Sequence, residues 1–229
     1  MQTGTKKKHK WLRILLTVVG VVVITIAIFT ATSLYVSSPT KGTAISVYDN
    51  PRSALLVIDV QNDTTDNTAM YGDTAGFVRK VNQAVAVAEQ SGMEIIYVKN
   101  VYGGNPLVSI LSRGRYRRGT NGAELAENLR VVNGNIFSKS IGDSFSSKDF
   151  EDYLISKEIN TLYIVGADAA ACVFNTARGG TNRGYIVYVI EDAIITINEA
   201  TIALMIKQYH SLGIETINLA EFENVILRQ

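Results

Sequence analysis

The chain has 229 residues, of which 47% are hydrophobic and 19% charged, with a formal net charge of +1. That composition supports a folded core and argues against a domain built to grip nucleic acid or another acidic polymer. One cysteine excludes an internal disulfide framework, and two histidines, His9 and His210, leave almost no room for histidine-rich metal sites or His-dependent triads.

Five of the 22 Lys and Arg residues, namely Lys6, Lys7, Lys8, Lys10 and Arg13, crowd residues 1–13. Residues 14–36, ILLTVVGVVVITIAIFTATSLYV, then carry no formal charge. At about 1.5 Å per residue such a helix reaches roughly 35 Å, enough to cross a hydrocarbon core of about 30 Å. A buried core helix and a cleaved signal peptide are the rival readings. The run exceeds the roughly 7–15 apolar residues of a signal peptide, although Ala31 and Ser33 are small enough for a processing site. Basic residues before the span, with only Lys41 and Arg52 close behind it, place the N-terminus in the cytoplasm and the rest of the chain outside. Trp11 and Tyr35 flank the span, as interfacial aromatics do. The chain thus divides into a cytoplasmic basic stretch (1–13), a signal anchor (14–36), a polar linker (37–50) that includes SSPTKGT, and a globular domain (51–229).

Within that domain ALLVIDV (54–60) reads as a buried parallel strand ending in an acid. Residues 77–90 have helical apolar spacing and are closed by Gly92. EIIYV (94–98) and NIFS (135–138) read as the second and third strands, with a helix over 148–157. TLYIVG (161–166) is a fourth strand, followed by a helix to about 183. YIVYVI (185–190) is a fifth, a helix follows over about 198–212, and ETIN (215–218) is a sixth. Alternation of this kind predicts a three-layer αβα sandwich around a mostly parallel, Rossmann-like sheet of about six strands.

In open parallel sheets functional groups gather at the carboxyl ends of strands. Asp59 lies near the end of the first strand, Lys139 follows the third, and Cys172 sits just beyond the fourth. The three therefore converge on one sheet edge. Taken singly, each has a plain structural explanation: a packed small side chain for Cys172, a turn residue for Asp59, a solvated cation for Lys139. Together they suit nucleophilic catalysis. Cys172 at a helix start beside Lys139 is expected to gain thiolate character, and Asp59 can take the thiol proton and return it to a leaving amine. Backbone N–H groups of Asp168 and Cys172 are candidates for an oxyanion hole.

Several segments in order resemble the isochorismatase-like cysteine hydrolase family. ALLVIDVQND (54–63) resembles its opening strand with the catalytic aspartate, and GTNGAEL (119–125) is similar to its Gly-Thr-Pro-Gly element with Asn121 in the proline position. FSKSIGDSF (137–145) resembles the block of the catalytic lysine, and residues 162–193 the nucleophile block, with Gly166 six residues before Cys172 and Glu191-Asp192 as an acidic strand end. The resemblance runs from about Ala54 to Ala193. It implies an αβα fold, Asp59, Lys139 and Cys172 as the catalytic set, a non-proline cis peptide between Ala167 and Asp168, and hydrolysis of small C–N bonds through a thioester. It also suggests self-association. Two departures stand out. Ala169 and Ala170 replace the family's frequent Thr-Asp, and Asp168 puts a carboxylate near the thiol. The nicotinamidase branch holds a metal through an Asp and two His, whereas residues 63–73 contain no histidine, so neither metal nor cofactor is expected.

SRGRYRRG (112–119) carries Arg113, Arg115, Arg117 and Arg118. It reads as a solvated loop, a clamp for an anionic substrate, or a contact with anionic lipid. Gln61, Arg117 and Arg118 are the residues expected to contact substrate. Three functions remain open at this point: a metal-free amidase-type hydrolase, an isochorismate-type vinyl ether hydrolase that needs Asp59 but not the thiol, and a membrane-tethered binding protein with a degenerate site.

Overall fold

Apolar runs too short for helices pair into strands, and the amphipathic stretches between them cover both faces of the sheet that results. The computed structural model describes residues 3–104, 106–198 and 200–228. Met1 and Gln2 of the basic stretch, and Glu199 in the expected 198–212 helix, lie outside these residues, as do the side chains of Lys6, Lys7 and Lys8. In chain order the elements are α1 (Thr3–Val36), β1 (Arg52–Ile58), α2 (Asn62–Thr65), α3 (Thr68–Tyr71), α4 (Thr74–Gln90), β2 (Glu94–Asn100), α5 (Pro106–Leu111), β3 (Ile136–Lys139), α6 (Lys148–Ser156), β4 (Ile159–Ala167), α7 (Cys172–Thr181), β5 (Ile186–Ile195), α8 (Ala200–Ser211), β6 (Glu215–Ile217) and α9 (Leu219–Leu227).

Among the described residues six strands form one sheet in the order β3-β2-β1-β4-β5-β6, and every pairing is parallel. Alternation along β1 divides the core in two. Leu55 and Val57 face α4 and α9, meeting Val81, Val85 and Phe222. Leu56 and Ile58 face α6, α7 and α8, meeting Phe150, Val173 and Tyr209. This is the expected αβα sandwich. Helices lie on both faces because a parallel sheet is apolar on both sides. Sequence neighbours diverge from β1 in opposite directions, so β1 and β4 bracket the switch point where such sheets bind ligands.

Several boundaries differ from the expected ones. β1 ends at Ile58, so Asp59 lies beyond the strand; β2 runs two residues further, to Asn100; Lys139 is the last residue of β3. β5 continues to Ile195, across a register shift in its pairing with β4, so Glu191-Asp192 is not a strand end. Asp192 instead accepts the Leu219 N–H at the start of α9, a helix the apolar pattern did not single out. The connection from β2 to β3 holds only α5 and a short 3₁₀ turn rather than a covering helix.

The N-terminal segment is one helix with no break near residue 13. Within its stretch His9–Val36 an 18-residue window has a mean hydropathy of 2.8 and none of that window is buried, so the helix is long and apolar enough to cross a membrane. Residues 37–51 have no regular structure but are docked rather than free. Thr40 donates through its N–H and its hydroxyl to the buried Asp143 carboxylate, at 2.6 and 2.7 Å. The Arg183 guanidinium donates to Thr40 Oγ1 at 3.0 Å, and the Ile45 N–H reaches the Arg183 carbonyl at 2.9 Å. Burial, opposed by these donors and by Arg183, leaves the Asp143 carboxyl above its usual range. Helix α1 is fastened as well, because the Gly142 N–H donates to the Val36 carbonyl at 2.8 Å.

Candidate active site

Asp59 follows β1 with φ of 53°, a left-handed conformation that Asp tolerates better than most residues. Its N–H donates to the Val98 carbonyl and its own carbonyl accepts from the Thr64 hydroxyl, both at 2.9 Å, so the turn is fixed from two sides. Gly166 of β4 lies directly against this turn. With φ of 129°, a Cβ at that position would overlap the Ile58 carbonyl, so β4 can approach β1 here only through glycine.

Lys139, at the end of β3, reaches under β2 to Asp59. Its ammonium donates to Asp59 Oδ2 at 2.8 Å and to the Ile141 carbonyl at 3.3 Å. Both side chains are essentially inaccessible, at 0% and 3% exposure. Burial alone would lower the Lys139 pKa, but the adjacent Asp59 carboxylate outweighs it and holds the ammonium above its ordinary value. The other oxygen, Asp59 Oδ1, is buried and has no hydrogen-bond partner among the described residues. A buried acceptor left open in this way is costly unless a donor arrives.

Cys172 opens α7 and is half-buried. Its Sγ lies 3.8 Å from the Asn100 amide nitrogen, and Asp59 and Lys139 act on it with opposite sign. Burial and then the Asp59 carboxylate push the thiol up to about 12, against the lowering influence of Lys139. This corrects the expectation that the helix start and Lys139 would favour thiolate. Lys139 is already engaged by a carboxylate that also faces the thiol, so the sulfur meets a neutral pair rather than a free cation. These influences favour a neutral thiol at rest, beside the Lys139–Asp59 ion pair.

The nucleophile loop carries the cis peptide bond between Ala167 and Asp168. Asp168 supports the loop itself: its carboxylate accepts the Ala170 N–H at 2.8 Å, and its carbonyl accepts from Ala171 and Val173 at 3.0 and 3.1 Å. Burial, with the Ala170 N–H, the Thr196 hydroxyl, the Ile197 N–H and Arg115 opposing it, raises the Asp168 pKa. Ala169 is fully buried, donates its N–H to the Ile195 carbonyl at 2.9 Å and accepts from the Tyr209 hydroxyl. The departures from the family's Thr-Asp pair thus have local support of another kind, from Asp168 on one side and Tyr209 on the other.

Asp59, Asp168 and Cys172 line a cavity of about 200 Å³, together with Asn100, Tyr102 and Arg115. Gln61, Arg117 and Arg118 do not line it. Gln61 is fully buried, its amide nitrogen donating to the Asn100 and Ala123 carbonyls at 2.9 and 2.7 Å and its oxygen accepting the Asn100 N–H at 2.8 Å, so it crosslinks two loops. Arg117 and Arg118 are exposed, and Arg117 borders only a neighbouring cavity of about 220 Å³. The arginine that does face the cavity is Arg115, whose guanidinium donates to the Tyr71 hydroxyl at 3.3 Å and lies 5.2 Å from the Tyr116 ring centre. Asn100 was within reach of the strand-end rule that singled out Asp59 and Lys139; the strand was read two residues short. Arg115 had no signal separating it from its neighbours, because loop geometry alone turns it inwards.

The segment after β1, residues 63–73, contains no histidine. Its Asp63 carboxylate already accepts the Tyr116 N–H at 2.6 Å, and among the described residues no three His, Cys, Asp or Glu side chains gather as a ligand set.

A buried acid–lysine pair thus lies beside a cysteine at the switch point of this sheet. The chain belongs to the isochorismatase family, whose domain matches residues 53–221. It is 25% identical over 146 residues to an uncharacterized isochorismatase family protein, YddQ, of Bacillus subtilis, covering 63% of this chain and 78% of that one. It is 26% identical over 176 residues to the ureidoacrylate amidohydrolase RutB of Methylorubrum extorquens, covering 64% and 71%. In fold it resembles a cysteine hydrolase from Pseudomonas syringae pv. phaseolicola 1448A, with a TM-score of 0.71 at 18% identity over 82% of this chain and 99% of that one. The family is one of hydrolases and includes amidases.

Proposed function

We propose that this protein is a metal-independent cysteine hydrolase that cleaves an amide-type C–N bond in a small molecule. The observation that carries the reading is the open Oδ1 of Asp59, a buried carboxylate oxygen without a partner in a turn beside the Cys172 thiol. Because the thiol is neutral at rest, attack and deprotonation are coupled. The S–H proton passes to Asp59 as sulfur bonds to the amide carbon. Asp59 then delivers it to the nitrogen as the C–N bond breaks, giving an amine and a thioester. Water, deprotonated by Asp59, releases the carboxylic acid and restores the thiol. Lys139 holds the Asp59 carboxylate in position between these transfers through its hydrogen bond to Oδ2.

The developing oxyanion needs donors. The N–H groups of Ala169, Ala170, Ala171 and Val173 are committed to the acceptors described above, which favours the N–H groups of Asp168 and Cys172 for that role. Arg115, in place of Arg117 and Arg118, is the residue suited to bind an anionic substrate group. The same reading makes α1 a signal anchor with a cytoplasmic N-terminus and an extracytoplasmic catalytic domain, on the strength of its length, hydropathy and flanking charges.

The test is a panel of small amides, ureas and carbamoyl compounds offered to the full chain, with Cys172→Ala as the blank. Turnover that vanishes in Cys172→Ala and withstands chelators supports the thioester route. Turnover that survives Cys172→Ala but not Asp59→Ala points instead to vinyl ether-type acid chemistry.

A further inference from the structure

A second cavity, of about 500 Å³, lies where the membrane-length helix meets the domain. Ala31, Thr32 and Tyr35 of α1 form one wall, and Gly103, Ser140 and Ile141 of the domain form the other. It shares Val36, Tyr102 and Val108 with the catalytic cavity, so the two spaces adjoin across these residues. The last turn of the helix is therefore part of the catalytic wall. Its position is fixed, because the Val36 carbonyl is bonded to Gly142 and Thr40 to Asp143. A Cβ on Gly142 would come within 3.1 Å of that Val36 carbonyl, a close approach that suits glycine.

The depth of the groove follows from the helix. The uncharged residues 14–36 reach roughly 35 Å at about 1.5 Å each, somewhat longer than a hydrocarbon core of about 30 Å. Residues 31–36 then sit at the bilayer surface, where the exposed Tyr35 ring is favoured. The catalytic cavity by itself is smaller than the roughly 300–1,000 Å³ of ordinary ligand sites, and joined to the groove it falls within that range. One end of the joined space is polar, with Arg115 beside the Asp59 and Asp168 carboxylates; the other is formed by an apolar helix.

We propose that the substrate is an amphiphilic amide drawn from the bilayer surface, with its apolar chain between α1 and the domain, its amide at Cys172 and an anionic head at Arg115. This rests on the hydrolase reading for its chemistry, with bond making and breaking as written above, but not for its binding site. N-acylglycines of increasing acyl length are suitable probes. With the full chain carrying Cys172→Ala in phosphatidylcholine nanodiscs, N-dodecanoylglycine should bind at least tenfold more tightly than N-acetylglycine. Ala31→Trp, which fills the groove from the helix side, should remove that advantage; Leu34→Trp, at similar depth but outside the groove, should keep it. Since both variants leave partitioning into the bilayer unchanged, only the groove distinguishes them. Equal binding of the two acyl lengths, or an advantage that survives Ala31→Trp, overturns the proposal. The hydrolase reading fails separately, if groove-dependent binding is found and the Cys172 enzyme cleaves no amide in the series or the panel.

Discussion

Replacing Asp59 by asparagine should separate the two roles assigned to its charge. In the intact site burial and Asp59 hold the thiol at about 12 rather than about 9. At pH 8 the thiol is thus held further from thiolate than an unperturbed one, so iodoacetamide should modify Cys172 at least tenfold more slowly than a free cysteine. Asp59→Asn removes the charge that raises the thiol and leaves Lys139, which lowers it. Alkylation should therefore accelerate by at least tenfold while amide turnover is lost. The substitution also strands a buried ammonium, at a cost of about 3–5 kcal/mol, so circular dichroism and thermal melting must accompany the assay. The double variant Asp59→Asn/Lys139→Met should recover part of that stability and return the thiol to slow reaction. The reasoning is refuted if the intact protein alkylates as fast as a free thiol, or if Asp59→Asn slows the reaction in a folded protein.

Three further outcomes follow from the packing. Arg115→Gln should weaken binding of anionic substrates about 10- to 100-fold, the loss of one charged hydrogen bond, whereas Arg117→Gln and Arg118→Gln should leave KM unchanged; steady-state kinetics decides between them. Gly166→Ala should destabilise the domain by about 2 kcal/mol or more, read as a lower midpoint in urea, because a Cβ there meets the Ile58 carbonyl. Asp143→Ala should free residues 37–51, seen as new cleavage in that segment by limited proteolysis of the full chain; an unchanged digest would contradict the docking through Thr40.

The layered fold was legible because each strand is an apolar run bounded by turns, and because the helix over 148–157 keeps its spacing. The grouping of Asp59, Lys139 and Cys172 was legible for a topological reason: they stand at or shortly after the carboxyl ends of strands, and parallel strands carry such ends to one edge. What surrounds the trio was not. Gln61 resembled a ligand-binding polar residue until its three hydrogen bonds to neighbouring backbone became visible. The arginine cluster showed four cations, and only the folded loop turns Arg115 inwards while Arg117 and Arg118 face water. The direction of the thiol's shift was missed because sequence places a lysine near the sulfur without revealing that a carboxylate already holds it. The linker's polar composition did not reveal its docking, in which Thr40 and Ile45 bond to Asp143 and Arg183, partners more than a hundred residues away.

The central claim is that Cys172 becomes acylated during turnover. Acid-quenching the full chain during cleavage of an amide found in the panel, followed by peptide mass spectrometry, tests it most directly. The account predicts an acyl adduct on the peptide containing Cys172, released by hydroxylamine and absent from Cys172→Ala, which should also be inactive. Undiminished turnover in Cys172→Ala, with no adduct in the intact enzyme, would contradict it.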